Sequence, residues 1–488
     1  MNGSWRTRIA GSLATTLVVA GLAAAPAAPA TTSTNHAGTT SDGGTWIADV
    51  PSSWNGTVLL YSHGYGPLLA ADAPDPATKQ ALLDRGYALV GSSYDPAGSW
   101  WALGSALRDQ FEALDALRAV LPSRPREVIA FGTSMGGLIS ALESERGNGR
   151  IDGALTTCGI VGGAIDLGNY QLDGEYAMAK LLAPAVPIKL VRFANGDEGL
   201  ATGKQFDAIA QQAQSTAEGR ARLALAMAFL NVPTWAPGQA MPAPDDFAAQ
   251  EQQQFDIQFT GAFTTMDFVE SGRPSIEQAA GGNPSWTVGV DFARQLAASP
   301  YAPQVRALYR QAGLDLRSDL RTLTAGANIR ADVPAVRWVA QTSVPRGRLQ
   351  VPELDLHTIS DQLVPVQHEN VYEHTVARAG AGSRLRQAYV ARQSHCNFTP
   401  AELVAGVLAV QHRVETGHWN GVATPRSLQA SASSLGLGDA AFIAFRPPPL
   451  TGDNGWWPPS PWSWHGAVDV RTGASAGPAR APTRAGGP

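Results

Sequence analysis

The feature that most limits how this chain can fold is five residues long: Gly132-Thr133-Ser134-Met135-Gly136. Directly before it stands Val128-Ile129-Ala130-Phe131, a continuous apolar run of the kind carried by a strand covered on both faces. After it, Leu138–Glu145 reads as helix. A serine on so abrupt a strand-to-helix turn has a strained backbone. Side chains two positions to either side would collide, so glycine is needed there. The turn lifts the hydroxyl clear of a sheet edge and points backbone N–H groups at the carbonyl it would attack.

The rest of the chain supplies the sheet. Thr57-Val58-Leu59-Leu60-Tyr61 is a buried-strand pattern running into Ser62-His63-Gly64-Tyr65-Gly66. A helical segment near Ala77–Arg85 and a strand over Ala88–Ser92 follow. In Ala106–Leu121, the residues Leu107, Phe111, Leu114, Leu117 and Leu121 recur at helical spacing and form one apolar face. Ala154–Thr157 is a further strand, ending at Cys158. Strands alternating with helices predict a mostly parallel sheet wrapped on both faces.

That alternation stops between about 163 and 334. Helix-like stretches such as Gly203–Leu230 and Tyr301–Ala312 dominate there, broken by Pro/Gly loops, and predict a helical insertion over the sheet. The pattern resumes with a strand at Leu354–His357, a helix at Gln367–Ala379, a strand at Arg386–Val390 and an amphipathic helix at Ala401–Val414. Thr31–Gly44 is a polar stretch ahead of the first strand signal. The expected division is an export signal at 1–30, core at 31–162, helical cap at 163–334, core again at 335–445 and a Pro/Gly/Trp-rich tail at 446–488.

The export reading rests on Arg6 and Arg8, an apolar stretch from Ile9 to about Ala25, and the small residues Ala28-Pro29-Ala30. The apolar run is short and rich in Ala and Gly, which argues against a stable membrane anchor. A formal net charge of −5 gives no electrostatic footprint for nucleic acid. Two cysteines in an exported chain suit one disulfide, Cys158 to Cys396. No spacing of Cys or His suggests a zinc site, and no metal or cofactor is expected.

A serine hydroxyl needs a base, and the base needs an orienting carboxylate. His395 follows the last strand signal and is the best candidate. His368, His374, His412 and His418 lie in or beside helical stretches and read as surface residues. His357 falls inside a strand and reads as a packed or supporting residue. Asp361, in Ser360-Asp361-Gln362-Leu363-Val364-Pro365, follows a strand and a short loop, which places its carboxylate at the sheet's C-terminal edge. Asp355 competes but lies within the strand. Oxyanion donors are expected from the N–H of Met135 and from the loop after the first core strand, with Tyr65 favoured and Gly64 second. The His63 side chain would brace that loop.

His63-Gly64, Gly132-Thr133-Ser134-Met135-Gly136-Gly137, Ser360-Asp361-Gln362-Leu363-Val364-Pro365 and His395 together resemble the α/β-hydrolase superfamily, over about Trp46–Gly162 and Pro334–Gly417. The resemblance implies an α/β-hydrolase fold with a cap after the sixth strand and a Ser134-Asp361-His395 triad. His395-Cys396 is in addition similar to the tannase and feruloyl esterase family, whose Cys after the His is bridged to a Cys just before the nucleophile. Thr133 stands at that preceding position here. Cys158, at the end of the next strand, offers a substitute partner because neighbouring strands bring their ends together.

These readings lead to an exported carboxylic-ester hydrolase acting on a small or polymeric ester. The alternatives are a serine peptidase using the same triad and a non-catalytic binding protein. Trp100 and Trp101, on the loop after a core strand, are candidates to reach the substrate. Phe259, Phe263 and Phe268 in the insertion, and Trp456, Trp457, Trp462 and Trp464 in the tail, either pack or contact substrate. For a peptidase, Asp197-Glu198 or Asp245-Asp246 would hold the substrate amine.

Overall fold

A computed structural model describes residues 32–452. Residues 1–30, read from the sequence as an export signal, and Trp456, Trp457, Trp462 and Trp464 lie outside the described residues. The first half of the core runs β1 (Ser33–Thr39), β2 (Thr45–Pro51), β3 (Thr57–Ser62), α1 (Pro76–Leu83), β4 (Ala88–Ser92), α2 (Ala106–Val120), β5 (Glu127–Thr133), α3 (Met135–Arg146) and β6 (Gly153–Thr157). Nine helices follow without a strand: α4 (Ala164–Leu182), α5 (Gly196–Ala213), α6 (Ala217–Phe229), α7 (Phe247–Phe259), α8 (Thr265–Ala280), α9 (Phe292–Ala298), α10 (Ala302–Gln311), α11 (Leu316–Gly326) and α12 (Val333–Thr342). The core then closes with β7 (Glu353–Ser360), α13 (Gln367–Arg378), β8 (Leu385–Gln393), α14 (Pro400–Thr416), α15 (Pro425–Leu435) and β9 (Phe442–Ile443).

The strands form one sheet in the order β1-β2-β4-β3-β5-β6-β7-β8-β9. β3 to β8 pair in parallel, while β1, β2 and β9 run antiparallel at the two edges. Side chains alternate between faces, so Leu59, Tyr61, Ile129 and Phe131 meet α1 and α14, while Val58, Leu60, Val128 and Ala130 meet α2. Both faces are covered, which is why the central strands are apolar throughout. The nine inserted helices have a core of their own around Tyr176, Phe206, Leu223, Phe229 and Phe292. No helix among the described residues is long and apolar enough to cross a membrane.

Several expectations need correcting. The polar stretch 31–44 is not featureless, because Ser33–Thr39 forms an edge strand paired with β2. Period-2 apolarity is absent there since an edge strand outside the core buries little. Gly203–Leu230 is two helices, not one; Thr216 caps the second by accepting the Gly219 N–H. The tail's first residues are anchored: Leu450 is buried, and Thr451 and Asn231 exchange two hydrogen bonds of 2.8 Å.

Candidate active site

β3 lies between β4 and β5, so the chain steps from β3 to β4 on one side and then reverses, crossing β3 to reach β5 on the other. A crevice opens at such a reversal, beyond the C-terminal strand ends. The register aligns those ends: Ser62 pairs with Gly132, Thr133 with Thr157, and Ser360 with Gln393. The residues one step further on therefore gather along one edge.

Ser134 occupies φ 61°, ψ −121°, a conformation L-residues rarely adopt. The glycines on either side permit it. A Cβ on Gly136 would stand 1.8 Å from the Ser62 carbonyl oxygen, and one on Gly132 would stand 1.9 Å from that of Gly136. No side chain fits either position. The Ser134 N–H donates to Thr157 O at 2.9 Å, which ties the turn to β6. Met135 begins α3, so its N–H belongs to the first turn and lacks an intrahelical acceptor. Gly64 lies against the serine, its missing side chain 3.2 Å from Ser134 Cβ.

His395 Nε2 lies 2.8 Å from Ser134 Oγ, and His395 Nδ1 lies 2.7 Å from Asp361 Oδ2. Asp361 Oδ1 accepts the N–H groups of Leu363 and Val364, both at 2.9 Å. β7 runs on through Ser360, so Asp361 follows the strand directly rather than after a loop. Burial alone would raise its carboxyl, but His395 and His357 outweigh that and hold it well below the usual carboxylate range.

His357 stands behind Asp361, its Nε2 3.6 Å from Oδ2. That nitrogen also donates to Val364 O at 2.8 Å, and Nδ1 meets Glu369 Oε1 at 2.9 Å. A carbonyl and a carboxylate oxygen both accept, so an imidazolium satisfies both contacts. Burial opposes the charge, but Asp361 and Glu369 prevail and push its pKa up to about 10. Glu369, which also accepts Gln387 Nε2 at 2.6 Å, carries no signal in the sequence to distinguish it from any helical surface acid. Asp355 is buried in β7, where burial and the nearby Glu369 push its carboxyl well above its ordinary range.

Two other histidines differ in outcome. His63 stacks on Tyr94 at 4.3 Å and its Nδ1 contacts Gly64 O at 2.8 Å, within the loop after β3. His368 is not a surface residue as its helix position suggested. It is fully buried, accepts the Gly162 N–H at 3.1 Å, and is driven down to about 3 by burial and by the charge on His357.

Cys158 and Cys396 form a disulfide, with Cα atoms 5.4 Å apart. Their strands are not neighbours. β7 lies between β6 and β8, so the bridge spans the end of the strand that delivers Asp361. Cys158, Ser394 and Cys396 all adopt positive φ, as Ser134 does. Cys396 Sγ lies 3.2 Å from His395 Nε2.

A cavity of about 360 Å³ opens over Ser134. Its floor holds Gly64, Thr133, Ser134, His395 and Cys396; its roof is α8, through Phe268, Val269, Gly272, Arg273 and Ile276. Trp101 lines it, with its indole N–H donating to Ser343 Oγ at 3.2 Å. Trp100 does not line the cavity; it is 46% exposed and sits edge-on to Tyr65 at 5.7 Å. Tyr65 reaches the roof, where its hydroxyl meets Ser275 Oγ at 2.8 Å and its ring meets Phe268 at 5.8 Å. Phe259 packs in the cap core, and Phe263 is exposed. Phe268 and its lining neighbours follow helical spacing in the sequence, but which way that face turns is a tertiary fact.

No protein-family model matches the chain. It is 27% identical over 433 residues to a protein called o-phthalyl amidase from Xanthobacter agilis, covering 84% of this chain and 94% of that one. Among solved structures it is similar to an esterase from Aspergillus oryzae, with a TM-score of 0.41, 14% identity and 79% of each chain covered. It is also similar to feruloyl esterase B from Aspergillus oryzae, with a TM-score of 0.38, 15% identity, and 78% of this chain and 80% of that one covered. The strand order, the strained serine turn after β5, and the acid and histidine turns after β7 and β8 give the chain an α/β-hydrolase fold.

Proposed function

We propose that the chain is a secreted serine hydrolase that cleaves carboxylic esters through an acyl-enzyme intermediate. The observation that carries this reading is the unbroken hydrogen-bond chain from Ser134 through His395 to Asp361, opening on a largely apolar cavity. As Ser134 Oγ attacks the acyl carbon, His395 Nε2 takes its proton and Asp361 steadies the imidazolium. The developing oxyanion is met by the N–H of Met135 and by that of Tyr65 or Gly64. His395 then passes the proton to the leaving oxygen, and water, activated by the same imidazole, releases the acyl group. The cycle moves protons among these residues and calls for no metal or organic cofactor. Secretion rests on the character of residues 1–30, and the disulfide suits an oxidising compartment.

One observation favours a second reading, cleavage of an amide by the same acyl-enzyme: the Xanthobacter agilis relative is named an amidase. A peptidase that holds a free amine is less well supported. Glu198 pairs with Lys189 at 2.8 Å, Asp246 caps α7, and neither these acids nor Asp197 and Asp245 line the cavity. A fluorophosphonate probe is expected to label the wild type and not Ser134→Ala; equal labelling would overturn the reading. A panel of p-nitrophenyl esters beside matching nitroanilides then decides between ester and amide.

A further inference from the structure

The line of contacts that starts at Ser134 does not stop at Asp361. Oδ2 of Asp361 faces two imidazoles: His395 Nδ1 at 2.7 Å on the cavity side, and His357 Nε2 at 3.6 Å on the buried side. His357 is fully buried, and Glu369 Oε1 meets its other nitrogen at 2.9 Å. Glu369 is held in turn by Gln387, whose Nε2 donates to Oε2 at 2.6 Å. The same His357 Nε2 donates to the Val364 carbonyl at 2.8 Å, and the Val364 N–H donates to Asp361 Oδ1 at 2.9 Å. His357 therefore clamps the turn that carries the acid as well as facing its charge. Leu363 and Val364 of that turn line the cavity.

The other titratable groups that face His357 are held neutral. Glu353 and Asp355 share its face of β7, and burial pushes both carboxyls upward, Glu353 to about 8. His368, on α13, is driven down to about 3. Tyr170 on α4 and Tyr389, the partner of His357 on β8, are pushed up by burial. The buried charges are therefore two carboxylates, Asp361 and Glu369, with one imidazolium between them. With His357 protonated the group is one charge negative; with a neutral side chain there it is two. Added negative charge favours a proton on His395, and nearby positive charge disfavours it.

We propose that His357 and Glu369 are positioning residues of the reaction: the imidazolium of His357 shares Asp361 with His395 and so sets the pH above which His395 is free to take the proton of Ser134. Glu369 holds that imidazolium from behind. The arrangement fixes Asp361 in place yet directs part of its field away from the catalytic ring. The base then stays unprotonated further into acid than a carboxylate facing His395 alone would allow. The inference rests on the serine-hydrolase reading for the role of His395, and adds to it the pH range in which the enzyme works.

The test is the rate at which a fluorophosphonate labels Ser134, measured between about pH 5 and 9, because that reaction uses the same base and needs no known substrate. His357→Gln keeps a donor for the Val364 carbonyl and removes the charge. Its acid limb is expected to have a midpoint about one pH unit above that of the wild type. His357→Gln/Glu369→Gln leaves no buried charge unpaired, so it carries the test if the single variant does not fold. Its midpoint should rise by about half as much, since Glu369 lies farther from His395 than His357 does. A merely structural role would lower the labelling rate at every pH. That result, an unmoved midpoint or a downward shift would each overturn the proposal. Nitrogen NMR of wild-type protein with isotope-labelled histidine is the second measurement. One ring should keep both of its protons at about pH 8.5, where an ordinary histidine has lost one, and absence of such a ring would also overturn the proposal. A wild type that is not labelled at all would instead strike the serine-hydrolase reading, so the two failures are distinguishable.

Discussion

On the sheet side of the cavity, Ser134, His395 and Asp361 hydrogen-bond to one another or to backbone amides. On the helical side, Arg273 Nε and both oxygens of Glu270 are buried with no hydrogen-bond partner. The first region sits on strand ends whose register the whole sheet fixes. The second sits on α8, a helix of the inserted segment, above a separate hydrophobic core. A fully partnered network is rigid and preorganised, which is what reacting groups need. In the proposed reading, the difference separates chemistry, built on the sheet, from choice, built on the insertion.

The comparison breaks most severely at Ser134. Ser134→Ala is expected to lower kcat by about 10⁶ in steady-state assays while leaving the melting temperature within a few degrees. Activity near the wild-type level would mean that the sheet side is not the reacting side. Asp361→Asn should lower kcat by roughly 10⁴, since the amide no longer fixes the productive tautomer of His395. Phe268→Ala, on the roof, should raise KM for aromatic acyl substrates about ten-fold with little change in kcat, from lost apolar burial of order 1.5 kcal/mol. A large fall in kcat instead would place the roof within the chemistry.

The smallest effect tests the charge behind Asp361. His357 is raised to about 10 from an ordinary value near 6.5, so its stabilising protonation is whole below about pH 6.5 and is lost as pH rises through 10. Asp173 and Glu353, raised to about 8 by burial, also lose stabilising protons on the alkaline side. His357→Gln keeps those two losses and removes only its own. The melting temperatures of wild type and variant should therefore differ most near pH 6 and converge towards pH 10 by scanning calorimetry. A constant gap would remove the imidazolium.

Much of the sheet-side geometry was legible because it depends on local patterns in a fixed order. The apolar run before Gly132 and the strand signals at Leu354–His357 before Asp361 and at Arg386–Val390 before His395 each announce a strand end, and strand ends share an edge. The residues that support them were harder to read. Glu369 meets His357 only because α13 lies against β8, the strand beside β7, and His368 is buried by contacts from Gly162 and Tyr170, distant in sequence. The edge strand β1 was hidden because Ser33–Thr39 lacks an alternating apolar face. The helix break at Thr216 was signalled by its capping side chain, yet Ala-rich flanks on both sides masked it. Arg273 was silent for a different reason: nothing in its own segment shows that Glu175, 98 residues away, satisfies only one of its nitrogens.

The bridge between Cys158 and Cys396 closes a ring of chain that contains the entire insertion, 238 residues from one cysteine to the other. Closing so long a loop limits the unfolded chain, by about 5 kcal/mol in the simplest entropy estimate. It also alters what a protease can accomplish. A single cut within the helices of the roof leaves both pieces of the molecule covalently joined, and the sheet edge that carries Ser134, Asp361 and His395 remains one body. The roof is thus the part that can be nicked without releasing either half of the floor.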